Sequence, residues 1–169
     1  RRQRMNVPVV LNGNKTILEA PADETLMSVL RRIGCASVKC GCGQGTCGSC
    51  TVLLNDNPVA TCKIPLGIIQ NADIVTLEYF ERTKEYSMII KGFELAGIKL
   101  CGLCNSGKIF SAYQLVKLNK IPTRDEIYEQ VRSLAPCCTD LNTLINGIIL
   151  ALEIRDHGIE KAAKKAERI

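Results

Sequence analysis

The sequence predicts an α+β fold in two parts: a small domain of strands with one helix, followed by a bundle of four helices. Up to about residue 80, apolar and polar residues alternate in short runs separated by turn residues, which is typical of strands. From about residue 85, apolar residues recur three or four positions apart, which is typical of helices. Because the pattern changes once, we expect two domains, at 1–82 and 83–169.

The first domain is expected to begin with a hairpin over residues 7–11 and 15–19, since a glycine-containing turn separates these alternating runs. Apolar residues at helical spacing then predict a helix over 25–33, with Asp23 or Thr25 as its N-cap. Three further strands are predicted at 51–54, 59–61 and 73–78. This order of elements describes a small α+β domain.

The second domain is expected to contain four helices, over 86–96, 106–117, 125–133 and 140–155. Thr123 and Glu126 form a capping box directly after Pro122, which predicts the start of the third helix. The connections are short, so neighbouring helices should be antiparallel. His157, the only histidine, is expected to be a solvated residue at a helix end.

A first group of cysteines begins in the loop after the predicted helix. Its spacing is C-x4-C-x2-C followed by a distant cysteine, which is the pattern of plant-type [2Fe–2S] sites. The candidate ligands are Cys42, Cys47, Cys50 and Cys62. The same loop contains Gly41, Gly43, Gly45 and Gly48. Glycines permit positive φ and a close approach of backbone N–H groups to sulfur. The pattern therefore indicates one-electron transfer.

Other uses of the first group are less well supported. No apolar signal-peptide segment follows residues 1–4, so a secreted, disulfide-bonded scaffold is not expected. A Rieske centre requires two histidines, and the chain has one. Zinc is the main alternative, because four-cysteine zinc sites also use C-x2-C pairs. The four-residue gap and the density of glycines favour an iron–sulfur cluster over zinc.

A second group of cysteines lies in the connections between the predicted helices. Cys101 and Cys104 precede the second of these helices, and Cys137 and Cys138 precede the fourth. Connections at one end of a bundle lie close together, so four sulfurs can meet there and hold a second site, with [2Fe–2S] favoured over zinc. Buried free cysteine is the alternative. The cysteines outside both groups, which are expected to pack or to lie free, are Cys35 and Cys40.

The composition indicates a protein without a membrane or nucleic-acid partner. The formal net charge is +5, and much of it lies at residues 1–4 and 161–168. No nucleic-acid-reading motif accompanies these basic ends, so solvated termini or docking against an acidic partner is expected. No apolar run is long enough to span a bilayer. Ten cysteines, eight of them candidate metal ligands, fit a reducing compartment, so a cytoplasmic location is expected.

With both groups in place, the chain resembles the iron–sulfur subunit of the molybdenum hydroxylases, the xanthine dehydrogenase and aldehyde oxidoreductase family. The family pattern K-x-G-C-x-x-G-x-C-G-x-C-T-V is similar to residues 39–52, and its later cysteine is matched by Cys62. Its patterns Q-C-G-F-C-T-P-G and G-N-L-C-R-C-T-G-Y are similar to residues 100–107 and 133–141. Two motif sets in the same order make the resemblance specific, and it covers nearly the whole chain.

The resemblance implies a plant-type ferredoxin-like (β-grasp) domain followed by a four-helix bundle, each with one [2Fe–2S] cluster. The implied ligands of the second cluster are Cys101, Cys104, Cys137 and Cys138, and the implied cofactor-binding glycines are Gly41, Gly43, Gly45, Gly48 and Gly102. Electrons would pass from a molybdenum–pterin subunit through the bundle cluster to the ferredoxin-type cluster, and then to a flavin (FAD) subunit or another acceptor. The chain would be the electron-transfer subunit of a hetero-oligomeric oxidoreductase, without a substrate site of its own.

The chain departs from the family pattern in the second domain. Pro136 stands where the family has a cysteine ligand, and Cys137 stands where it has an arginine. Leu100 replaces a glutamine that contacts the pterin in the family. A remote member is therefore expected, in which either Cys137 is the fourth ligand or the second site is incomplete. The alternatives are an electron carrier of another redox complex with an altered or lost second cluster, and a zinc-bearing structural module.

Overall fold

The computed structural model describes residues 3–134 and 137–169. Over these ranges the chain forms one five-stranded sheet and seven α-helices. The strands are β1 (Arg4–Leu11), β2 (Asn14–Pro21), β3 (Thr51–Leu54), β4 (Asn57–Ala60) and β5 (Asp73–Val75). The α-helices are α1 (Leu26–Arg32), α2 (Leu77–Phe80), α3 (Lys84–Leu95), α4 (Asn105–Val116), α5 (Arg124–Val131), α6 (Leu141–His157) and α7 (Ile159–Ala166).

The strands form a mixed sheet in the order β2-β1-β5-β3-β4. β1 and β5 are parallel, and the other neighbouring pairs are antiparallel. Asn12 and Gly13 connect β1 to β2 with φ angles of 51° and 79°, the left-handed geometry that a two-residue hairpin turn requires. α1 packs with the sheet around a buried apolar core that includes Val7, Leu18, Leu26, Leu30, Val52, Leu66 and Ile74.

The helical part is built on a close contact between α3 and α6. A Cβ on Gly92 would lie 2.5 Å from the backbone nitrogen of Ala151 and 2.7 Å from the carbonyl oxygen of Gly147. Only a residue without a side chain permits this approach. The surrounding core includes Ile89, Phe93, Phe110, Ile127, Ile145 and Ile148. α7 contacts α6 and α3 and buries Ala162.

The two parts meet at the turn between β3 and β4. The carboxylate of Asp56 accepts hydrogen bonds from the Tyr113 hydroxyl at 3.0 Å and from Lys117 Nζ at 2.9 Å. The backbone carbonyl of Asp56 accepts a further bond from Gln114 Nε2 at 2.8 Å. Tyr113 and Gln114 belong to α4, and Lys117 is its C-cap residue. The helix that follows Cys104 is therefore held against the sheet.

The predicted fold class is confirmed, and most predicted elements lie where the sequence places them. Thr25 caps α1, and the capping box of Thr123 and Glu126 is formed. His157 is the last residue of α6, and its side chain is 43% exposed. No helix within the described ranges is both long and apolar enough to cross a membrane. The domain boundary at 82/83 lies between α2 and α3 and stays a prediction.

Two features differ from the prediction. The last strand ends at Val75 rather than at residue 78, because Leu77 and Phe80 are both buried and the chain turns into the short helix α2 to place them on one side. The basic C-terminal segment, expected as a solvated or partner-docking end, forms the helix α7 in residues 159–166. The sequence does carry a local helix signal here, since Ile159, Ala162, Ala163 and Ala166 recur at helical spacing among alanine, lysine and glutamate, which favour helices. Contact with α6 stabilises the helix further.

Candidate metal centres

The first cysteine group begins in the loop between α1 and β3. The N–H of Cys35 donates to the Leu30 carbonyl at 3.0 Å and the N–H of Lys39 donates to the Ser49 carbonyl at 3.0 Å, so both ends of the loop are fixed. Between them the loop turns towards the surface, where Cys42 is exposed. The other members lie deeper: Cys47 is half-buried, and Cys50 and Cys62 are buried. A group held by these thiols would lie just below the surface.

Hydrogen-bond donors converge on the sulfur of Cys42. The hydroxyl of Thr46 and the N–H groups of Gln44, Thr46 and Cys47 lie 3.3–3.4 Å from Cys42 Sγ. These bonds, that of the Thr46 hydroxyl foremost, lower the pKa of Cys42 to about 5. The thiolate is the form of cysteine that binds metal. The loop geometry therefore prepares Cys42 to act as a ligand.

The pKa of Cys62 is shifted in the opposite direction from that of Cys42. Burial, followed by the neighbouring thiol of Cys50, raises the pKa of Cys62 to about 11, although the N–H of Gly45 donates to its sulfur. Gly45 reaches this position with a φ of 82°, which favours glycine. A thiol buried beside another thiol loses its proton when a cation compensates the charge. A metal ion in this loop would supply that charge.

Ser49 provides a separate test of whether an iron–sulfur group fits. Its side chain is 1% exposed, and its Oγ has no hydrogen-bond partner within the described ranges. A Cβ on Gly41 would lie 2.6 Å from Cys47 Sγ and 3.0 Å from Ser49 Oγ, so the hydroxyl and the thiol face the same small space. Buried hydroxyls are normally satisfied. A cluster sulfur would supply the missing acceptor, and the residues present therefore fit such a group.

The second group of cysteines forms a compact arrangement. The Sγ atoms of Cys101, Cys104, Cys137 and Cys138 all lie within 4.8 Å of one another. Cys104 directly precedes α4, and the adjacent residues Cys137 and Cys138 lie shortly before α6. Folding thus brings together two loops that are more than thirty residues apart, and Cys101 Sγ lies 3.7 Å from Cys137 Sγ. Four sulfur donors this close fit a metal or iron–sulfur centre.

The thiols of the second group differ in acidity. Hydrogen bonding, chiefly from the N–H of Leu103, lowers the pKa of Cys101 to about 6. The nearby thiols of Cys104 and Cys101 raise the pKa of Cys137 to about 11. A bound cation would allow all of these thiols to ionise together. The structure places Cys137 with the group, whereas Pro136 lies outside the described residues.

The two cysteine loops touch each other. The Lys39 ammonium donates to the Gly102 carbonyl at 2.5 Å. Gly48, which lies between Cys47 and Cys50, packs against Gly107 in the first turn of α4, where a Cβ on Gly107 would lie 2.7 Å from Gly48 Cα. The fold therefore places the two groups side by side.

The glycines expected at the cofactors have two geometries. Positive φ angles are found at Gly43 (66°), Gly45 (82°), Gly48 (76°) and Gly102 (85°). Gly41 instead lies against Cys47 Sγ, where a side chain would collide with the thiol. Outside both groups, Cys35 is half-buried against the core between the sheet and α1, and Cys40 is exposed.

Lys108 is a residue at the second group that the sequence analysis missed. Its side chain is 2% exposed, and its Nζ lies 2.8 Å from Cys104 Sγ. A signal was present, since Lys108 is the one charged residue of α4 and follows Cys104 by one helical turn. The burial of that position depends on helix packing, which the sequence pattern did not show.

Comparison with known proteins gives one domain match and several related chains. Residues 9–68 match the 2Fe-2S iron-sulfur cluster binding domain. The nicotinate dehydrogenase small FeS subunit of Eubacterium barkeri is 35% identical over 125 residues, which cover 73% of this chain and 80% of the relative. The aldehyde oxidoreductase of Megalodesulfovibrio gigas is 31% identical over 150 residues, which cover 86% of this chain and only 16% of that longer protein.

A solved structure is similar over almost the whole length. The crystal structure of quinoline 2-oxidoreductase from Pseudomonas putida 86 contains a chain that superposes with a TM-score of 0.78 at 27% sequence identity. The match covers 96% of this chain and 98% of that chain. The similarity therefore extends over both the sheet and the helices.

Proposed function

Because this chain belongs to the family of small iron–sulfur subunits of the molybdenum hydroxylases, we propose that it relays electrons through two [2Fe–2S] clusters, one in each cysteine group. It is the electron-transfer subunit of an oxidoreductase complex, and residues 9–68 are its 2Fe-2S cluster binding domain. The observation that carries the two-cluster proposal is the compact arrangement of the four thiols of the second group, in direct contact with the loop of the first group.

The proposed ligands of the first cluster are Cys42, Cys47, Cys50 and Cys62. The N–H and hydroxyl donors around Cys42 support this assignment, because they stabilise a thiolate. The unsatisfied hydroxyl of Ser49 supports it as well. A bound cluster would supply one-electron redox chemistry, while the glycines bring backbone donors close to sulfur.

The proposed ligands of the second cluster are Cys101, Cys104, Cys137 and Cys138. Their mutual distances, all within 4.8 Å, support Cys137 as the fourth ligand. Its neighbour Pro136, at the family's cysteine position, cannot bind iron. The loop before α6 therefore presents two adjacent sulfurs, a local variation on the family arrangement.

We further propose that a molybdenum–pterin subunit lies beside the second cluster and that a flavin (FAD) subunit or another acceptor lies beside the first. Leu103, in the loop of the second group, is 50% exposed, and an apolar side chain at this place suits a covering protein partner. Leu100 packs against the helical core, and its apolar side chain has no donor or acceptor to replace the hydrogen bond of a glutamine to a pterin. Cys42, which is exposed in the first group, is where the electron leaves the chain.

The organisation of the chain follows from these assignments. We propose that the first cluster domain ends at residue 82 and the second begins at residue 83, where the chain passes from α2 to α3. Ten free cysteines favour a reducing compartment such as the cytoplasm. The complex is then a hetero-oligomer in which substrate chemistry belongs to a partner.

The test is EPR spectroscopy of the anaerobically purified, dithionite-reduced protein, with iron, sulfide and zinc measured on the same sample. Two distinguishable S = 1/2 signals and about four iron atoms per chain are expected for two clusters. One signal with about two iron atoms would reject the second cluster and support an electron carrier with an altered second site. About one zinc atom per chain would instead identify the second group as a structural zinc site.

A further inference from the structure

Helix α4 carries a buried lysine beside the second cysteine group. Lys108 follows Cys104 by one helical turn, is 2% exposed, and donates from Nζ to Cys104 Sγ at 2.8 Å. Among the described residues, the carboxylates that form ion pairs have other partners. The hydrogen bond of this ammonium is therefore directed at sulfur.

Asp140, an acidic residue near Lys108, already accepts hydrogen bonds from another residue. Asp140 lines a small cavity together with Lys108 and Thr139, just after the cysteine pair. Its carboxylate caps α6, accepting the N–H of Thr143 at 2.9 Å and the Thr143 hydroxyl at 2.6 Å. Lys108 thus contacts Cys104 on its own helix and shares a cavity with Thr139, the residue after Cys138. Arg132 lines the same cavity, but its guanidinium pairs with Glu129 at 2.8 Å.

A buried ammonium needs an anionic counterpart. Removing such a charge from water is strongly unfavourable unless a nearby opposite charge compensates it. A neutral thiol at Cys104 does not provide that charge, whereas a centre held by four thiolates does. The burial of Lys108 is thus explained by an anionic centre in the second group.

We propose that Lys108 is a positioning residue that stabilises the reduced state of the second centre and so raises its reduction potential. This inference rests on the proposed function, namely a redox cluster in the second group. Uptake of one electron adds one negative charge to the pocket, and a fixed ammonium at 2.8 Å from a ligand sulfur stabilises this state more than the oxidised one. The electron comes from the molybdenum–pterin partner, or from dithionite in vitro, and no proton has to move.

The proposed effect of Lys108 favours electron flow from the partner into this chain. A higher potential at the second centre makes it a better acceptor for electrons that arrive from the partner. A hydrogen bond from a charged donor to a ligand sulfur also acts in this direction. Lys108 would therefore help draw electrons into the subunit.

The experiment is an anaerobic redox titration of the protein followed by EPR, comparing wild type with Lys108→Met. The variant keeps the length of the side chain and removes its charge. We expect the ratio of reduced to oxidised second centre at a fixed potential to fall about tenfold, which corresponds to a midpoint about 59 mV lower. The first centre, read in the same sample, should keep its potential.

Lys99→Met is the matched control, because it removes the same charge from an exposed position near Cys101. Solvent screens such a charge, so its effect on the second centre should be less than about threefold. Equal potentials in the Lys108→Met and wild-type proteins, or equal shifts in both variants, would overturn the proposal. Absence of a second signal in wild type would instead reject the proposed function.

Lys108→Arg covers the case in which the Met variant does not assemble its second centre. The arginine retains the positive charge and should restore the iron content, with the second potential near that of wild type. An arginine variant that also lacks the second centre, although its circular dichroism equals that of wild type, would contradict a role for charge. In that case the shape of the lysine side chain, rather than its ammonium, holds the site.

Discussion

Gly48 and Gly107 pack back to back with no side chain between them. A Cβ on Gly107 would lie 2.7 Å from the Gly48 Cα, and one on Gly48 would lie 3.0 Å from the Gly107 Cα. Gly48 separates two cysteines of the first group, and Gly107 lies one turn after Cys104 of the second. This contact sets how closely the two proposed clusters approach each other, and therefore how readily an electron passes between them.

Gly107→Ala should separate the two cysteine loops. The added methyl group meets backbone, which cannot move aside as a flexible side chain can, so we expect a loss of about 1–3 kcal/mol in the free energy of unfolding. Electron transfer between the centres should also slow, as measured by pulse radiolysis. Ser133→Ala is the control, because this exposed residue lines a surface cavity together with Gly48 and Gly107. Unchanged stability and unchanged transfer in Gly107→Ala would contradict this account.

Ser49→Ala should lower the reduction potential of the first centre. Its buried hydroxyl has no acceptor among the described residues and faces Cys47, so a bound cluster would accept its hydrogen bond. Removing one neutral hydrogen bond of about 0.5–1.5 kcal/mol corresponds to a downward shift of about 20–60 mV. The second centre provides the internal control in an EPR redox titration. An unshifted first potential would mean that the hydroxyl points elsewhere.

Cys137→Ser tests the most unusual proposed ligand. Because its Sγ lies within 4.8 Å of the other three thiols, its loss should leave the second group with three sulfurs. About half of the iron and the second EPR signal should disappear, while the first signal stays. Cys40→Ser, which removes an exposed thiol outside both groups, should keep both signals. A Cys137→Ser protein with full iron content would show that another donor completes the site.

Glu78→Gln should destabilise the first cysteine loop in a pH-dependent way. Burial opposes the ionised carboxylate, but hydrogen bonds from Ser37 and Thr76 outweigh it and lower the pKa of Glu78 below its ordinary value of 4.5. The N–H of Ser37 donates to this carboxylate at 2.6 Å, so Glu78 ties the loop to α2. A pKa lowered by folding means that the stabilisation is complete above the unfolded-state pKa and is lost as the pH falls through the folded-state value.

The corresponding measurement is the rate at which a chelator removes iron from the first centre. At pH 7 the Glu78→Gln variant should lose iron about five- to tenfold faster than wild type, because one hydrogen-bonded contact of the loop is weakened. Below the folded-state pKa the two proteins should become alike. Glu81→Gln, an exposed change nearby, is the control. A difference that persists unchanged in acid would reject ionised Glu78 as the cause.

Most of the fold could be predicted because its signals are local. Alternation around a glycine turn predicted the β1–β2 hairpin, and the Thr123 capping box predicted the start of α5. α2 was missed because one helical turn is too short to show a period. α7 was missed because the positive charge of residues 161–168 was interpreted as a solvated or partner-docking end, although Ile159, Ala162, Ala163 and Ala166 recur at helical spacing.

The sequence by itself determined the two groups of cysteines and the chemistry that they indicate, because ligand spacing within one loop is a local property of the chain. Only the tertiary structure decided that Cys137 lies with Cys101, and that the ammonium of Lys108 is buried against Cys104. It also decided that the two loops touch at Gly48 and Gly107. These relationships arise from the packing of α4, α6 and the sheet, which brings together residues that are distant in sequence. Periodicity along the chain reports only local structure and does not show which distant residues become neighbours.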